Sequence, residues 1–191
     1  SPYLRPIETR WYTDPKVLAE EKENIFSNSW VLAGWGSQVA VNNSYFTTRI
    51  LGISYIISRD KKGVLHAMVN SCLHRGTQLV KDKSEFIGDH ITCPYHGWQY
   101  GLEGAAKHIT LSEGIPQVSR EKCQLRQLHV AEESGLIWLC IGNPKMTIKE
   151  FLGDVIPELE PYQLQTMKPI QSRDFNFPIN WKLSLENALD Y

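Results

Sequence analysis

Between residues 13 and 30 apolar side chains recur at helical spacing. Val17, Leu18, Ile25 and Phe26 fall near one face, and Glu20, Glu21, Lys22 and Glu23 occupy the others. Thr13 or Asp14 can cap this helix, and Pro15 suits its first turn. From about residue 31 the period shortens. Trp30 to Trp35, Tyr45 to Ile50, Ile53 to Ser58 and Val64 to Val69 are short runs rich in β-branched and aromatic residues, and they read as strands. Leu51-Gly52 and residues 59–63 are the turns between them. Further strands are expected near Ile91, near Trp98 to Tyr100, at Leu125 to Val130 and at Leu136 to Ile141. This spacing predicts an antiparallel sandwich or barrel, a mainly β fold with flanking helices.

After Gly142-Asn143-Pro144 the character changes again. Thr147 to Leu152 reads as a short helix, and Pro157, Pro161 and Pro169 punctuate a connector. Gln171 to Phe177 reads as a strand broken by Pro178. Asn180 can cap a last helix through Trp181, Leu185, Ala188 and Leu189. Three units are expected: an N-terminal helix and lead-in over 1–36, a β domain over 37–145, and the start of an α+β domain over 146–191.

The chain has 191 residues, 42% of them hydrophobic, which is enough for one sizeable core. A net charge of −1 argues against nucleic acid as the main partner. No apolar stretch approaches the roughly 18 residues of a membrane span. The N-terminus lacks the charged-then-apolar signal pattern. Cys140 lies in the apolar run Leu136 to Ile141 and reads as a small core residue; with Cys123 it is expected to be a free thiol, which fits a reducing, cytoplasmic location.

The candidate chemistry sits in two short runs. Cys72-Leu73-His74-Arg75-Gly76 is followed, after 18 residues between His74 and Cys93, by Cys93-Pro94-Tyr95-His96-Gly97-Trp98. Two thiolates and two imidazoles, one of each per loop, suit an iron–sulfur cluster with one iron on sulfur and the other on nitrogen. A structural zinc site also takes two Cys and two His. It more often spaces its first two Cys by roughly two to four residues, whereas here each half pairs one Cys with one His.

The whole constellation resembles the Rieske domain of ring-hydroxylating oxygenases. Respiratory Rieske proteins carry an extra Cys in each loop, joined as a disulfide; Thr77 and Tyr95 stand at those positions here, which favours the oxygenase or ferredoxin branch. The resemblance implies that Cys72, His74, Cys93 and His96 hold a Rieske [2Fe–2S] cluster. It extends to the tail, where Asn180-Trp181-Lys182 and Glu186-Asn187-Ala188-Leu189-Asp190-Tyr191 resemble the opening of the catalytic domain in the same family. There an Asp on this helix bridges the cluster of one subunit and the iron of another, so the resemblance makes Asp190 an inter-subunit electron-transfer bridge, with His96 as the cluster ligand it meets. The iron-ligating His pair would follow about three residues later, on the same helix face. The mononuclear non-haem Fe(II) is therefore expected in a C-terminal part beyond Tyr191.

The expected protein is thus the N-terminal portion of an oxygenase large (alpha) subunit. It hydroxylates an organic substrate with O₂, a mono- or dioxygenase, using electrons from NAD(P)H delivered by a reductase, a ferredoxin or both. A homotrimer or α3β3 assembly is implied. The alternative is a free-standing Rieske-type ferredoxin, which needs only the middle hundred or so residues. His66, His90, His108 and His129 have no second ligand at metal spacing and read as surface or core histidines. Arg75 and Lys81 flank the first loop as solvated charges that can also face an acidic partner, and Tyr95 and Trp98 read as covers for the cluster.

Overall fold

The alternating runs pair into three antiparallel sheets. The computed structural model of the chain describes residues 7–82, 85–110, 123–173 and 175–189. One sheet joins β1 (Val31–Trp35), β10 (Leu136–Cys140) and β9 (His129–Glu133) in that order. The second runs β4 (Leu65–Val69), β3 (Ile53–Arg59), β2 (Ser44–Ile50), β5 (Glu85–Ile87). The third is β6 (His90–Thr92), β7 (Gln99–Gly101), β8 (Ala106–His108).

Two hairpins owe their register to two-residue turns with positive φ. Leu51 and Gly52, at φ 52° and 81°, join β2 to β3, and Ser134 and Gly135, at 54° and 75°, join β9 to β10. That backbone matches the twist of the flanking strands, so Ile50 falls opposite Ile53 and Glu133 opposite Leu136.

The four-stranded sheet is covered on both faces, which explains why β3 reads Tyr55-Ile56-Ile57 rather than alternating. Successive side chains point to opposite faces. Tyr55 and Ile57, with Phe46 and Ala67, pack against Ala33, Ile137 and Leu139 of the first sheet. Ile56 and Met68 meet Ile91, Tyr100, Leu102 and Leu125 on the other side, and Cys72 and Cys93 belong to this second core. A smaller cluster joins Trp30 and Cys140 to α3 (Ile148–Leu152), whose Thr147 and Glu150 form a capping box.

The fold class is the expected one, antiparallel β with flanking helices, and the elements differ in detail. The predicted helix over 13–30 is α1 (Arg10–Thr13), then α2 (Pro15–Glu21) running into a π-helical turn over Lys22–Phe26. Asp14 separates the two and caps α2, accepting from the Lys16 amide at 2.8 Å. The expected strand at Leu125 to Val130 starts later, at His129. Residues 126–128 instead run beside β4: the Val69 amide bonds the Arg126 carbonyl and the Leu128 amide the Ala67 carbonyl. The connector after Gly153 contains α4 (Val155–Leu159) and two 3₁₀ turns, with Pro157 in the first turn, where no intrahelical N–H is needed. The strand expected at Gln171 to Phe177 is not formed among the described residues, and Phe175 and Phe177 are exposed there, without the packing that favours aromatic residues in a sheet. The short strands β5 and β8 were not expected, because three residues carry too little periodicity to read.

The last helix, α5 (Trp181–Leu189), docks on the N-terminal helices. Glu21, nearly buried, receives the Trp181 indole N–H at 2.8 Å and Lys182 Nζ at 2.5 Å. The Lys182 ammonium beside it, then the indole bond, hold the Glu21 carboxyl below its ordinary pKa. The Tyr12 hydroxyl donates to Glu186 at 2.7 Å, Asn180 Nδ2 bonds the Tyr12 carbonyl at 3.1 Å, and Phe26 meets Trp181 edge-on at 5.0 Å.

Candidate metal centre

The two sequence motifs fold into two loops closed by the same pair of backbone bonds. The Cys72 amide donates to the Thr77 carbonyl at 2.8 Å, and the Gly76 amide to the Cys72 carbonyl at 2.8 Å. In the second loop Cys93 bonds Trp98 at 2.7 Å and Gly97 bonds Cys93 at 3.1 Å. Gly76 and Gly97 take φ of 72° and 73°, the left-handed turn that a side chain would strain. The loops differ in one respect: His74 is the third residue of its loop and His96 the fourth.

The surroundings fix both loops. The second spans β6 and β7. The first leaves β4 through Asn70, a buried residue whose Oδ1 accepts from the Leu79 and Val80 amides at 3.0 and 2.9 Å, while its Nδ2 donates to the Val80 carbonyl at 2.6 Å. Tyr100, fully buried on β7, places its hydroxyl 3.2 Å from Cys72 Sγ and accepts the Leu73 amide at 3.1 Å. Sequence reasoning singled out neither Asn70 nor Tyr100. The available signals were an Asn at the mouth of a motif loop and a Tyr one register step past the second.

All four candidate ligands converge. Cys72 and Cys93 are buried in the same core cluster. Burial pushes the Cys72 thiol up in pKa, with the Tyr100 hydroxyl opposing. Burial likewise raises the Tyr100 phenol, reinforced by its bond to Cys72. The His74 and His96 rings lie 4.8 Å apart, His74 stacks on Trp98 at 5.1 Å with 5° between planes, and Tyr95 packs 3.8 Å from His96. Burial, then the neighbouring His96 and Arg75, lowers the His74 pKa, which favours the neutral ring with one nitrogen lone pair to offer a metal.

One atom tests the fit. Nδ1 of His96 is buried with no hydrogen-bond partner. Such an orphan is costly unless something takes its lone pair, and a metal does. Among the described residues no three His, Cys, Asp or Glu side chains are placed to hold one ion. A two-iron cluster asks only for two pairs, thiolates on one iron and imidazoles on the other, and that is the arrangement present.

Residues 29–119 match the family model of the Rieske [2Fe–2S] domain. The carnitine monooxygenase oxygenase subunit of Escherichia coli K12 is 32% identical over 187 residues, which is 96% of this chain and 50% of that one. The chain carries a Rieske domain of the oxygenase type. Choline monooxygenase of Beta vulgaris is also 32% identical, over 98% of this chain and 42% of its own length. Among solved structures, the apo form of a quaternary ammonium Rieske monooxygenase superposes with a TM-score of 0.88 at 28% identity, covering 95% of this chain and 53% of that chain. Naphthalene 1,2-dioxygenase from Rhodococcus sp. gives 0.73 at 27% identity over 81% of this chain and 36% of its own. The chain thus spans about half the length of the curated relatives it matches.

The other candidates of the sequence fall elsewhere. Asp190 lies outside the described residues. His66 on β4 pairs with Asp60 at 3.1 Å and His90 on β6 with Asp89 at 2.6 Å. Trp98 is buried against His74, and Tyr95 stays exposed at its edge. Arg75 is exposed beside the first loop.

The Tyr100 contact makes the first prediction. A hydroxyl hydrogen-bonded to a ligand sulfur stabilises the extra negative charge of the reduced state. Tyr100→Phe in the loaded protein is expected to lower the reduction potential by roughly 60 mV, about one charge-assisted hydrogen bond for a one-electron couple. A redox titration followed by visible absorbance measures it, and an unchanged potential removes Tyr100 from the tuning role.

Proposed function

We propose that this chain supplies the electron-relay part of a terminal oxygenase that acts on an organic substrate with O₂, using electrons drawn from NAD(P)H through a reductase, a ferredoxin or both. The observation that carries it is the convergence of Cys72, His74, Cys93 and His96 around the orphaned His96 Nδ1. These four residues would hold the [2Fe–2S] cluster, the two thiolates on one iron and the two imidazoles on the other. When bound, the cluster takes up and releases a single electron. Tyr100 holds the Cys72 sulfur by its hydroxyl, and Trp98 lies flat on His74 and keeps water from that side.

Three finer readings belong to the same proposal. Asp190, directly after α5, is the bridge by which the electron leaves toward a mononuclear non-haem iron in another subunit of a homotrimer or α3β3 assembly. Support comes from the tail's resemblance and from the solved quaternary ammonium monooxygenase described with inter-subunit electron transfer. Residues 37–145 form the cluster domain and 146–191 open the catalytic one. The substrate is a quaternary ammonium compound rather than an aromatic hydrocarbon: carnitine and choline monooxygenases align over 94–98% of the chain, naphthalene dioxygenase over 78–81%. Among the described residues no helix is long and apolar enough to cross a membrane. A cytoplasmic location stays with the proposal.

The test is iron and sulfide analysis of the full-length protein, followed by oxygen uptake with NAD(P)H and a reductase. About two irons and two sulfides per chain, with uptake stimulated by carnitine or choline, is the expected result. Zinc in place of iron ends the proposal. Iron and sulfide without substrate-stimulated uptake leaves the free-standing ferredoxin.

A further inference from the structure

A cavity of about 280 Å³ opens beside the first ligand loop. Ile53, Val69, Leu128 and Ile141 make its wall apolar, and Cys72 and Leu73 bring the ligand loop to its floor. Besides Ser71, whose hydroxyl donates to the Gly76 carbonyl at 3.2 Å, two groups break this apolar character. Tyr55 is 1% exposed, and its hydroxyl is buried with no hydrogen-bond partner. Arg126 lines the same cavity, is exposed, and makes no ion pair among the described residues. Its backbone is fixed by the bond from Val69 to its carbonyl.

A buried phenol with an idle donor is costly, and phenylalanine would fill the same space without that cost. The hydroxyl therefore calls for an acceptor inside the cavity. Arg126 is also close enough that its charge counteracts the rise that burial imposes on the Tyr55 pKa. An apolar hollow with one buried donor and one guanidinium has the composition of a small-molecule site, and its polar groups both favour an anion.

We propose that this cavity binds a small organic carboxylate with a compact apolar body. The carboxylate accepts from the Tyr55 hydroxyl and the Arg126 guanidinium, and the body lies against Ile53, Val69, Leu128 and Ile141. The carboxylate's partners are not cluster ligands, but one candidate ligand, Cys72, lines the same cavity. A bound negative charge there opposes addition of an electron to the cluster, so occupancy lowers its potential. By linkage, reduction weakens the ligand by the same factor. Only this coupling rests on the Rieske reading; the binding does not.

Benzoate is the probe, titrated calorimetrically into the full-length, iron-loaded protein, with benzamide as its neutral counterpart. Saturable binding of benzoate is expected. Arg126→Ala is expected to weaken it by about tenfold or more, and Tyr55→Phe by about fivefold, the losses of a charge-assisted and an ordinary hydrogen bond. Tyr55→Phe fills the same volume, so its melting temperature, checked alongside, should not fall. Benzamide should bind about tenfold less tightly than benzoate. No saturable heat up to about 10 mM benzoate, or binding equal to wild type in both variants, overturns the site. A shift of the cluster potential by benzoate reports the coupling. Binding without a shift overturns the coupling alone, and a protein that never loads iron fails the Rieske reading while the heats still decide the cavity.

Discussion

Cys93→Ala is expected to give a folded, colourless protein. Its side chain is 3% exposed and sits in the core with Cys72, Ile91 and Tyr100. The loop around it is closed by backbone bonds, Cys93 to Trp98 and Gly97 to Cys93, which alanine keeps. The substitution therefore removes one of only two thiolates without unmaking the loop. An iron left with a single sulfur ligand from the chain is lost along with its partner. Iron content should fall from about two per chain to near zero, and the visible absorbance should vanish. Far-UV circular dichroism should stay unchanged, because the three sheets do not depend on that thiol. Retention of stoichiometric iron and sulfide by Cys93→Ala removes Cys93 from the ligand set.

Phe46→Ala is expected to have the largest effect on stability. Its ring, 2% exposed, fills the space between the first two sheets beside Tyr55, Ile57 and Leu139. Truncating a buried Phe costs about 3–5 kcal/mol, through lost transfer energy and the cavity left behind. At about 2–4 °C per kcal/mol for a chain of this size, the melting temperature should drop by about 10 °C. The neighbour across the gap sharpens the test. A Cβ on Gly34 would lie 2.7 Å from the Phe46 ring and 2.6 Å from Gln38 Oε1, and Gln38 Oε1 is the acceptor for the Trp35 amide. Gly34→Ala alone therefore overpacks the site, by about 1–3 kcal/mol. In the Phe46→Ala background the methyl enters the vacated space, and the two losses should not add, with a coupling of about 1 kcal/mol or more. Additive losses in urea titrations would show that the ring and the glycine do not meet.

Much of this was legible in the sequence, for a physical reason. Tyr45 to Ile50 and Ile53 to Arg59 carry dense β-branched and aromatic residues and end at a Leu-Gly turn whose positive φ values fix one register, so pattern and turn chemistry agree. The ligand loops were readable because metal donors and glycine must sit at fixed offsets within one short turn. The third sheet was only partly visible: its strands are three residues long, held by the loops rather than by periodicity. The displacement of β9 to His129–Glu133 follows from residues 126–128 being taken by β4, a tertiary contact no local pattern reports. Asn70 and Tyr100 escaped notice because each acts on the loop from outside the motif. The strand expected at Gln171 to Phe177 had aromatic residues, but Phe175 and Phe177 stay exposed, without the packing partners on which strand preference depends.

The shared closure of the two loops bears on how the working protein is made. Each ring of chain is tied by amide–carbonyl bonds that need no iron: Cys72 to Thr77 and Gly76 to Cys72 in one, Cys93 to Trp98 and Gly97 to Cys93 in the other. Such bonds use only backbone groups, so folding of the chain can itself meet part of the cost of ordering the donors. Biogenesis can then run in two separate stages, with a shaped receptacle first and delivery of a preassembled cluster afterwards. Depletion of the cell's iron–sulfur assembly machinery should accumulate folded apoprotein that still accepts its cargo, instead of misfolded chain.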